Sequence, residues 1–324
     1  MTESAKKLPN YIENPWSDRD RRLAVPEECA GLRLDQALTR LLPEYSRNRL
    51  QDWIRSGHVT VDGAAAAAKS KVWGGEILLV RPQAAPGDVV HEAEDIPLDI
   101  VFEDEHILVI DKRAGLVVHP GSGNWSGTML NALLQHAPRL ADIPRAGIVH
   151  RLDKDTSGLL VVAKTLQAQT DLVRQLQAHT VSREYVAVTH GVVTADGMVE
   201  APIGRHPVSR TKMAVVAKGK PAITHYTVRA SGGGWSLLDC KLETGRTHQI
   251  RVHLHSIGHP LIGDPVYTTS RMHINLPQEA LDFPRQALHA ARLALSHPHT
   301  RRPMSWKSPL PADIDALIEV LGNA

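Results

Sequence analysis

Apolar positions along the chain keep two different rhythms. Leu32, Leu34, Ala37, Leu38, Leu41 and Leu42 are spaced for one face of a helix. Ser46 is placed to cap a second helix carrying Leu50, Trp53 and Ile54, which Gly57 ends. Val59-Thr60-Val61 then alternates as a strand, Asp62-Gly63 is a hairpin-type turn, and Ile77 to Val80 is a further strand. This helix, helix, hairpin unit occupies residues 25–82. Residues 1–24 before it are polar and charged and read as a flexible extension. Residues 83–95 after it are rich in Pro, Gly and acid without periodicity and read as a linker.

Residues 96–324 form a second domain in which the period shortens. Strands are expected at 98–102, 107–110 and 183–188, and helices at 129–136, 166–179 and 314–321. Two apolar runs, Ile148-Val149 and Leu159 to Ala163, read as buried strands flanking a polar centre from Arg151 to Gly158. That centre is too polar for core, so it is a loop held between strands.

A length of 324 residues suits two domains, and the 42% hydrophobic share allows a real core. Cys29 and Cys240 are the only cysteines. Two, far apart, argue against a disulfide framework or a cysteine zinc site and fit a reducing cytoplasm. No signal peptide is evident, and no apolar run approaches the roughly 20 residues of a membrane span. The net charge of +2 does not itself argue for nucleic acid. A local patch would, and Arg40, Arg47, Arg49 and Arg55 lie in or beside the first two helices.

Asp153 is the residue singled out in the polar centre. A carboxylate in a loop on a rigid sheet can be a nucleophile, a general base or a metal ligand. Asp153-Lys154-Asp155-Thr156-Ser157-Gly158 is also what a simple turn looks like. A second polar concentration runs from Glu243 to His253. Arg246 follows Gly245 there and can pair with the central carboxylate, holding it ionised and oriented, or make an ordinary structural ion pair. His248, His253, His255 and His259 invite a metal reading, but their spacing fits neither His-Glu-x-x-His nor a Cys/His finger. Positions 251, 253 and 255 are expected to share one strand face. Tyr185, on a strand, can stack on a base or pack in the core.

His150-Arg151-Leu152-Asp153-Lys154-Asp155-Thr156-Ser157-Gly158 resembles the signature of the RluA family of pseudouridine synthases. Supporting blocks follow in family order: Lys112 to Pro120, Arg183-Glu184-Tyr185, Glu243 to His253, His259 to Tyr267, and Leu288-His289-Ala290. Arg113 departs from the pattern, where many members carry Pro. Residues 25–82 are similar to an S4-type RNA-binding domain, on Arg33 to Leu38, Ser46 to Leu50, Trp53-Ile54, Gly57 to Gly63 and Gly74-Gly75-Glu76.

The resemblance implies an α+β protein: an N-terminal S4-like RNA-binding domain plus a catalytic domain with a large mixed, mainly antiparallel β-sheet flanked by helices. It implies isomerisation of uridine to pseudouridine in ribosomal RNA of the large subunit, at the helix 69 stem–loop, by a monomer needing no cofactor or metal. Within it, Asp153 matches the essential aspartate, Arg246 its basic partner and Tyr185 the active-site tyrosine. Arg151 would fill the space left by an extruded base, with His150 beside it, and Leu152 and Ile250 would wall the uracil pocket. Competing readings are the same chemistry on transfer RNA, a non-catalytic RNA-binding assembly factor, and a metal-dependent RNA hydrolase.

Overall fold

The computed structural model describes residues 20–43, 45, 47–82, 91–121, 124–209, 211–268 and 276–323. It divides into two units, Met1–Val90 and His91–Ala324.

The first unit opens with β1 (Arg21–Ala24), followed by α1 (Leu34–Leu41), α2 (Arg47–Arg55), β2 (Val59–Val61), β3 (Ala64–Ala65) and β4 (Ile77–Val80). The sheet order is β1-β4-β2-β3, all antiparallel. Leu34, Ala37, Leu38, Leu50, Trp53, Val59, Leu78 and Val80 close its core. The hairpin turn falls where the sequence places it: Asp62 and Gly63 have φ of 50° and 81°, the left-handed pair a two-residue turn requires. One boundary moves. Residues 21–24 are not part of an extension, because Arg21 to Ala24 zip onto β4 from Val80 to Ile77. The strand alternates only between exposed and half-buried positions, so it carries no apolar signature. The expected helix cap, Ser46, lies outside the described residues, as do residues 1–19 of the extension and 83–90 of the linker.

The second unit begins at His91, not after residue 95. Asn131 Nδ2 donates to Glu92 O at 2.8 Å, and Glu94 accepts from Gly127 N at 2.9 Å, so residues 92–94 are stitched to the catalytic unit. The elements in order are β5 (Asp99–Glu103), β6 (Ile107–Lys112), α3 (Met129–His136), β7 (Ser157–Ala163), α4 (Leu166–Gln177), β8 (Ser182–His190), β9 (Gly197–Glu200), β10 (Ile203–Arg205), β11 (Met213–Val215), β12 (Ile223–Gly232), β13 (Trp235–Leu242), α5 (Gln249–Ser256), α6 (Gln278–Leu281), β14 (Leu288–Ser296), β15 (Pro303–Lys307) and α7 (Ala312–Gly322).

A nine-stranded sheet runs β5-β6-β7-β14-β8-β13-β12-β9, with β15 on the far part of β14. Among the described residues, β7–β14 is the one parallel pairing in this sheet. Every residue of β7 is buried, as expected of a strand covered on both faces. The expected lead-in strand at Ile148-Val149 does not form. Ile148 makes one isolated bridge to Val162, and the chain reaches it through a left-handed pair, Arg145 and Ala146 at φ 57° and 50°. Glycine is required on both sides of the polar loop. A Cβ at Gly147 would stand 1.8 Å from Ala163 O, and one at Gly158 would stand 2.3 Å from Ala290 O.

The largest difference from the sequence reading is residues 249–256, which form α5 and not a strand. Ile250, Val252 and Leu254 alternate with Gln249, Arg251 and His253, a strand rhythm. All six are buried, however, because the helix is enclosed on every side, and an enclosed helix needs no amphipathic period.

Candidate active site

The polar loop before β7 is fastened along its length. Lys112 Nζ and Gly115 N each donate to Lys154 O at 2.9 Å. Arg285 Nη1 donates to Asp155 O at 3.1 Å, and Gln286 Nε2 to Thr156 Oγ1 at 3.2 Å. Ser157 Oγ and His289 Nδ1 lie 3.0 Å apart. Arg285 is itself clamped by Asp313 of α7, 2.6 Å from its Nε. A loop with this many fixed points holds the Asp153 carboxylate at a defined place.

Lys112 is the tightest of these fastenings. It is 1% exposed, and it donates at 2.9 Å to three carbonyls, those of Arg113, Leu116 and Lys154. Burial pulls its pKa down to about 7, against the opposing pull of the Asp155 and Asp153 carboxylates. Three acceptors around one nitrogen ask for three N–H bonds, so we assign the ammonium form.

Asp153 meets Arg251, not Arg246. Arg251 Nη1 lies 2.9 Å from Asp153 Oδ2. The other edge of the same guanidinium is held by Asp264, with Nε to Oδ2 at 2.7 Å and Nη2 to Oδ1 at 2.9 Å. Burial works against the Arg251 charge, but the hydrogen bonds and charges of Asp264 and Asp153 outweigh it, so the group stays protonated. Arg246 instead sends its Nε to Pro221 O at 3.0 Å. The expected pairing is thereby corrected, and the cause is the helix: α5 carries Arg251 inward, whereas Arg246 lies in the turn before it.

The opposite oxygen of Asp153 faces His248, whose Nε2 is 3.8 Å from Oδ1. His248 Nδ1 is 2.8 Å from the Tyr267 hydroxyl, which also accepts from Met213 N at 2.9 Å. Burial lowers the His248 pKa, and Arg251 and Arg151 push the same way against Asp153 and Asp264, so the ring is neutral near neutral pH.

Apolar walls complete the site. Tyr185 on β8 is 6% exposed and belongs to one buried apolar cluster with Leu152 and Ile250, the three residues that the resemblance implies for the uracil. Burial raises the Tyr185 pKa, offset by Arg183 and reinforced by Asp153, so it is a neutral phenol. Arg151 is exposed at the mouth of the loop. His150 is half-buried, and its Nε2 accepts from Val161 N at 3.2 Å, which uses its lone pair on the backbone and not on a substrate.

Of the four histidines that suggested metal, His253 spends its nitrogens on Thr224 Oγ1 and Ala201 O, each at 2.9 Å, and His259 Nδ1 is 3.1 Å from His190 O.

In the first unit the arginines do not form a simple row. Asp35 is inaccessible to solvent, yet accepts from Arg33, Arg47 and Gln51, with the two guanidiniums about half exposed above it. Burial pushes the Asp35 pKa up, but hydrogen bonds from Arg47, Gln51 and Arg33 prevail and hold it below the usual carboxylate range. Arg40 reaches Glu28 O at 3.4 Å and Arg55 pairs with Asp52. The Arg49 side chain lies outside the described residues. Arg33 was missed as a candidate, although its place two residues before a helical Asp was visible.

Arg251, Asp264, His248 and Tyr267 were not read as one constellation in sequence. The available signal was charge at positions surrounded by apolar neighbours, as at Arg251 between Ile250 and Val252.

Comparison with known proteins agrees with this geometry. Residues 106–256 match the family described as RNA pseudouridylate synthase, and residues 32–78 match the S4 domain. The ribosomal large subunit pseudouridine synthase D of Nitrosomonas europaea is 60% identical, over 99% of this chain and 93% of its own. The protein of the same name from Pseudomonas aeruginosa is 55% identical over 94% of this chain and 97% of its own. Among solved structures, human RNA pseudouridylate synthase domain containing 4 superposes with a TM-score of 0.55 at 26% identity, covering 69% of this chain and 93% of that one. With an S4 domain ahead of an RNA pseudouridylate synthase domain and near full-length relatives at this identity, the chain belongs to the pseudouridine synthases of the RluA family.

Proposed function

We propose that this enzyme isomerises specific uridines of large-subunit ribosomal RNA, at the helix 69 stem–loop, with Asp153 as the reacting carboxylate. The reaction breaks N1–C1′, turns the uracil and forms C5–C1′. C5 gives up its proton and N1 recovers one, so atoms and electrons balance without a redox partner. The observation that carries the reading is a carboxylate fixed by a buried guanidinium through one oxygen only, in a loop whose Leu152 packs in one apolar cluster with Tyr185 and Ile250. Asp153 acts either as nucleophile at C1′ or as the base that opens a glycal route. Tyr185 stacks on the uracil and assists loss of the C5 proton. Arg151 takes the place of the base drawn out of the stem.

The ribosomal substrate is supported by the names of the full-length relatives and by the S4 unit, where Arg33 and Arg47 are held at fixed positions for phosphates. Their positive charge exceeds that of Asp35 beneath them. Action as a monomer in the cytoplasm is part of the same reading, and two free, buried cysteines are in keeping with a reducing compartment. Among the described residues no helix is long and apolar enough to cross a membrane.

The test is tritium release from RNA labelled at uridine C5, using large-subunit RNA that lacks the modification, with wild type and Asp153→Asn, each with and without chelator. Release by wild type alone, indifferent to chelator, is expected. Equal release by Asp153→Asn would remove the carboxylate from the mechanism. No release from ribosomal RNA, but release from transfer RNA, would reassign the substrate.

A further inference from the structure

The Asp153 carboxylate is held asymmetrically. Oδ2 receives Arg251 Nη1 at 2.9 Å, while Oδ1 faces His248 Nε2 at 3.8 Å, beyond hydrogen-bond range. The imidazole does not drift in this gap. Its Nδ1 is fixed by the Tyr267 hydroxyl at 2.8 Å, and that oxygen is fixed by Met213 N at 2.9 Å. The hydroxyl has one hydrogen and two lone pairs, so after accepting from Met213 N it still has its hydrogen to donate to His248 Nδ1. With that donation the neutral ring carries its proton on Nε2, toward Asp153, and this is the tautomer the inference uses.

The backbone is committed to the same end. His248 has φ 56° and ψ 26°, a left-handed conformation that is strained for a non-glycine residue. The surrounding turn holds it there. Gln249 Oε1 accepts from Thr244 Oγ1 at 2.8 Å and from Arg246 N at 2.9 Å, while Gln249 Nε2 donates to Ile223 O at 2.9 Å. Three residues later on the same helical face stands Arg251, so one turn delivers both neighbours of the carboxylate.

We infer that His248 is a positioning residue of the isomerisation, a neutral Nε2–H donor that confines Asp153 so that Oδ1 is the oxygen presented to the ribose. The gap matters to the chemistry. An oxygen without a close donor keeps its lone pairs for C1′ or for a ribose proton. When C5–C1′ closes and Oδ1 recovers its electron pair, a short approach of the imidazole supplies the hydrogen bond, and no proton is transferred to the ring. A charged imidazole would bind Oδ1 permanently and blunt it. This rests on Asp153 being the reacting carboxylate, as proposed above.

The experiment uses the full chain in single-turnover tritium release from C5-labelled large-subunit RNA, with RNA affinity measured in parallel, on wild type, His248→Ala, His248→Gln, Tyr267→Phe and Asp153→Asn. His248→Ala is expected to slow the chemical step roughly tenfold or more, with RNA affinity within about twofold. His248→Gln, which keeps an N–H donor at similar reach, is expected to recover most of the rate, and Tyr267→Phe to fall between. An unchanged rate for His248→Ala would overturn the inference. So would equal slowing in His248→Ala and His248→Gln together with weakened RNA binding, the pattern of a purely structural residue. If Asp153→Asn is inactive while His248→Ala runs at full rate, only this inference fails. If Asp153→Asn releases tritium normally, the carboxylate reading fails and this inference with it.

Discussion

Arg251 binds Asp153 with one edge of its guanidinium and Asp264 with the other, at 2.9 Å and 2.7 Å. The arrangement needs a planar cation with donors on two sides, which lysine cannot supply. Arg251→Lys is therefore expected to lower single-turnover tritium release roughly a hundredfold with little change in RNA affinity. Arg246→Ala should leave the chemical step within about twofold, since it removes one partly exposed contact to a carbonyl. The opposite ranking of the two variants would return Arg246 to the role first expected of it.

Lys112 predicts a local loosening. Lys112→Met keeps the length of the side chain but takes the donor from the carbonyls of Arg113 and Leu116 and leaves Lys154 O with Gly115 N alone. Unsatisfied buried acceptors make this cost about 2–4 kcal/mol. The sensitive measurement is amide hydrogen exchange at Gly115 and Thr156, whose N–H groups bond within the loop, to Lys154 O and Asp153 O. Both should exchange faster in Lys112→Met, and unchanged protection at both would deny the lysine its fastening role.

How far the sequence was legible depended on whether a residue's environment is local. Strands such as β7 and β8 and helices such as α3 announced themselves because their own apolar positions set their period. The Asp153 loop was legible because a polar run between apolar ones has few other places to go. α5 was not, since burial on all sides erases the period that separates helix from strand, and reading it as a strand hid Arg251. β1 was missed for the opposite reason: an edge strand that packs by backbone pairing has little need of apolar side chains. The Asp264, His248 and Tyr267 contacts to this centre join residues brought together only by the fold.

Asp35 predicts a separable defect in the S4 unit. Asp35→Ala leaves Arg33 and Arg47 without the carboxylate that fixes them, and removes the partner of Gln51. The guanidiniums left behind are half exposed and regain water, so the lost hydrogen bonds should destabilise this unit by about 1–2 kcal/mol. Urea titration followed by the fluorescence of Trp53, buried in the same core, reads that change. RNA affinity should weaken, while the rate at saturating RNA stays near wild type. A loss of rate at saturation would tie Asp35 to chemistry it does not touch.

Acid sensitivity follows from histidines buried in the neutral form. Burial depresses the pKa of His150 to about 3 and that of His119 to about 4, with neighbouring arginines adding to both. Burial also lowers His190, His253 and His289. The unfolded chain binds protons on these rings near pH 6.5, whereas in the folded chain each ring takes up its proton at a lower pH. Unfolding thus takes up protons in that window, and stability rises with pH across it and is lost as pH falls below about 6.5. Glu103, Asp104 and Asp313, held below the usual carboxylate range, add their losses only nearer pH 4, so pH 6.5 to 5 isolates the histidines. His150→Gln keeps an acceptor for Val161 N but cannot titrate. It should flatten the dependence of the urea midpoint on pH, by up to about 1.4 kcal/mol per pH unit, an upper limit because the residue is only partly buried. Parallel pH profiles for His150→Gln and wild type between pH 6.5 and 5 would show that His150 takes up its proton in the folded enzyme.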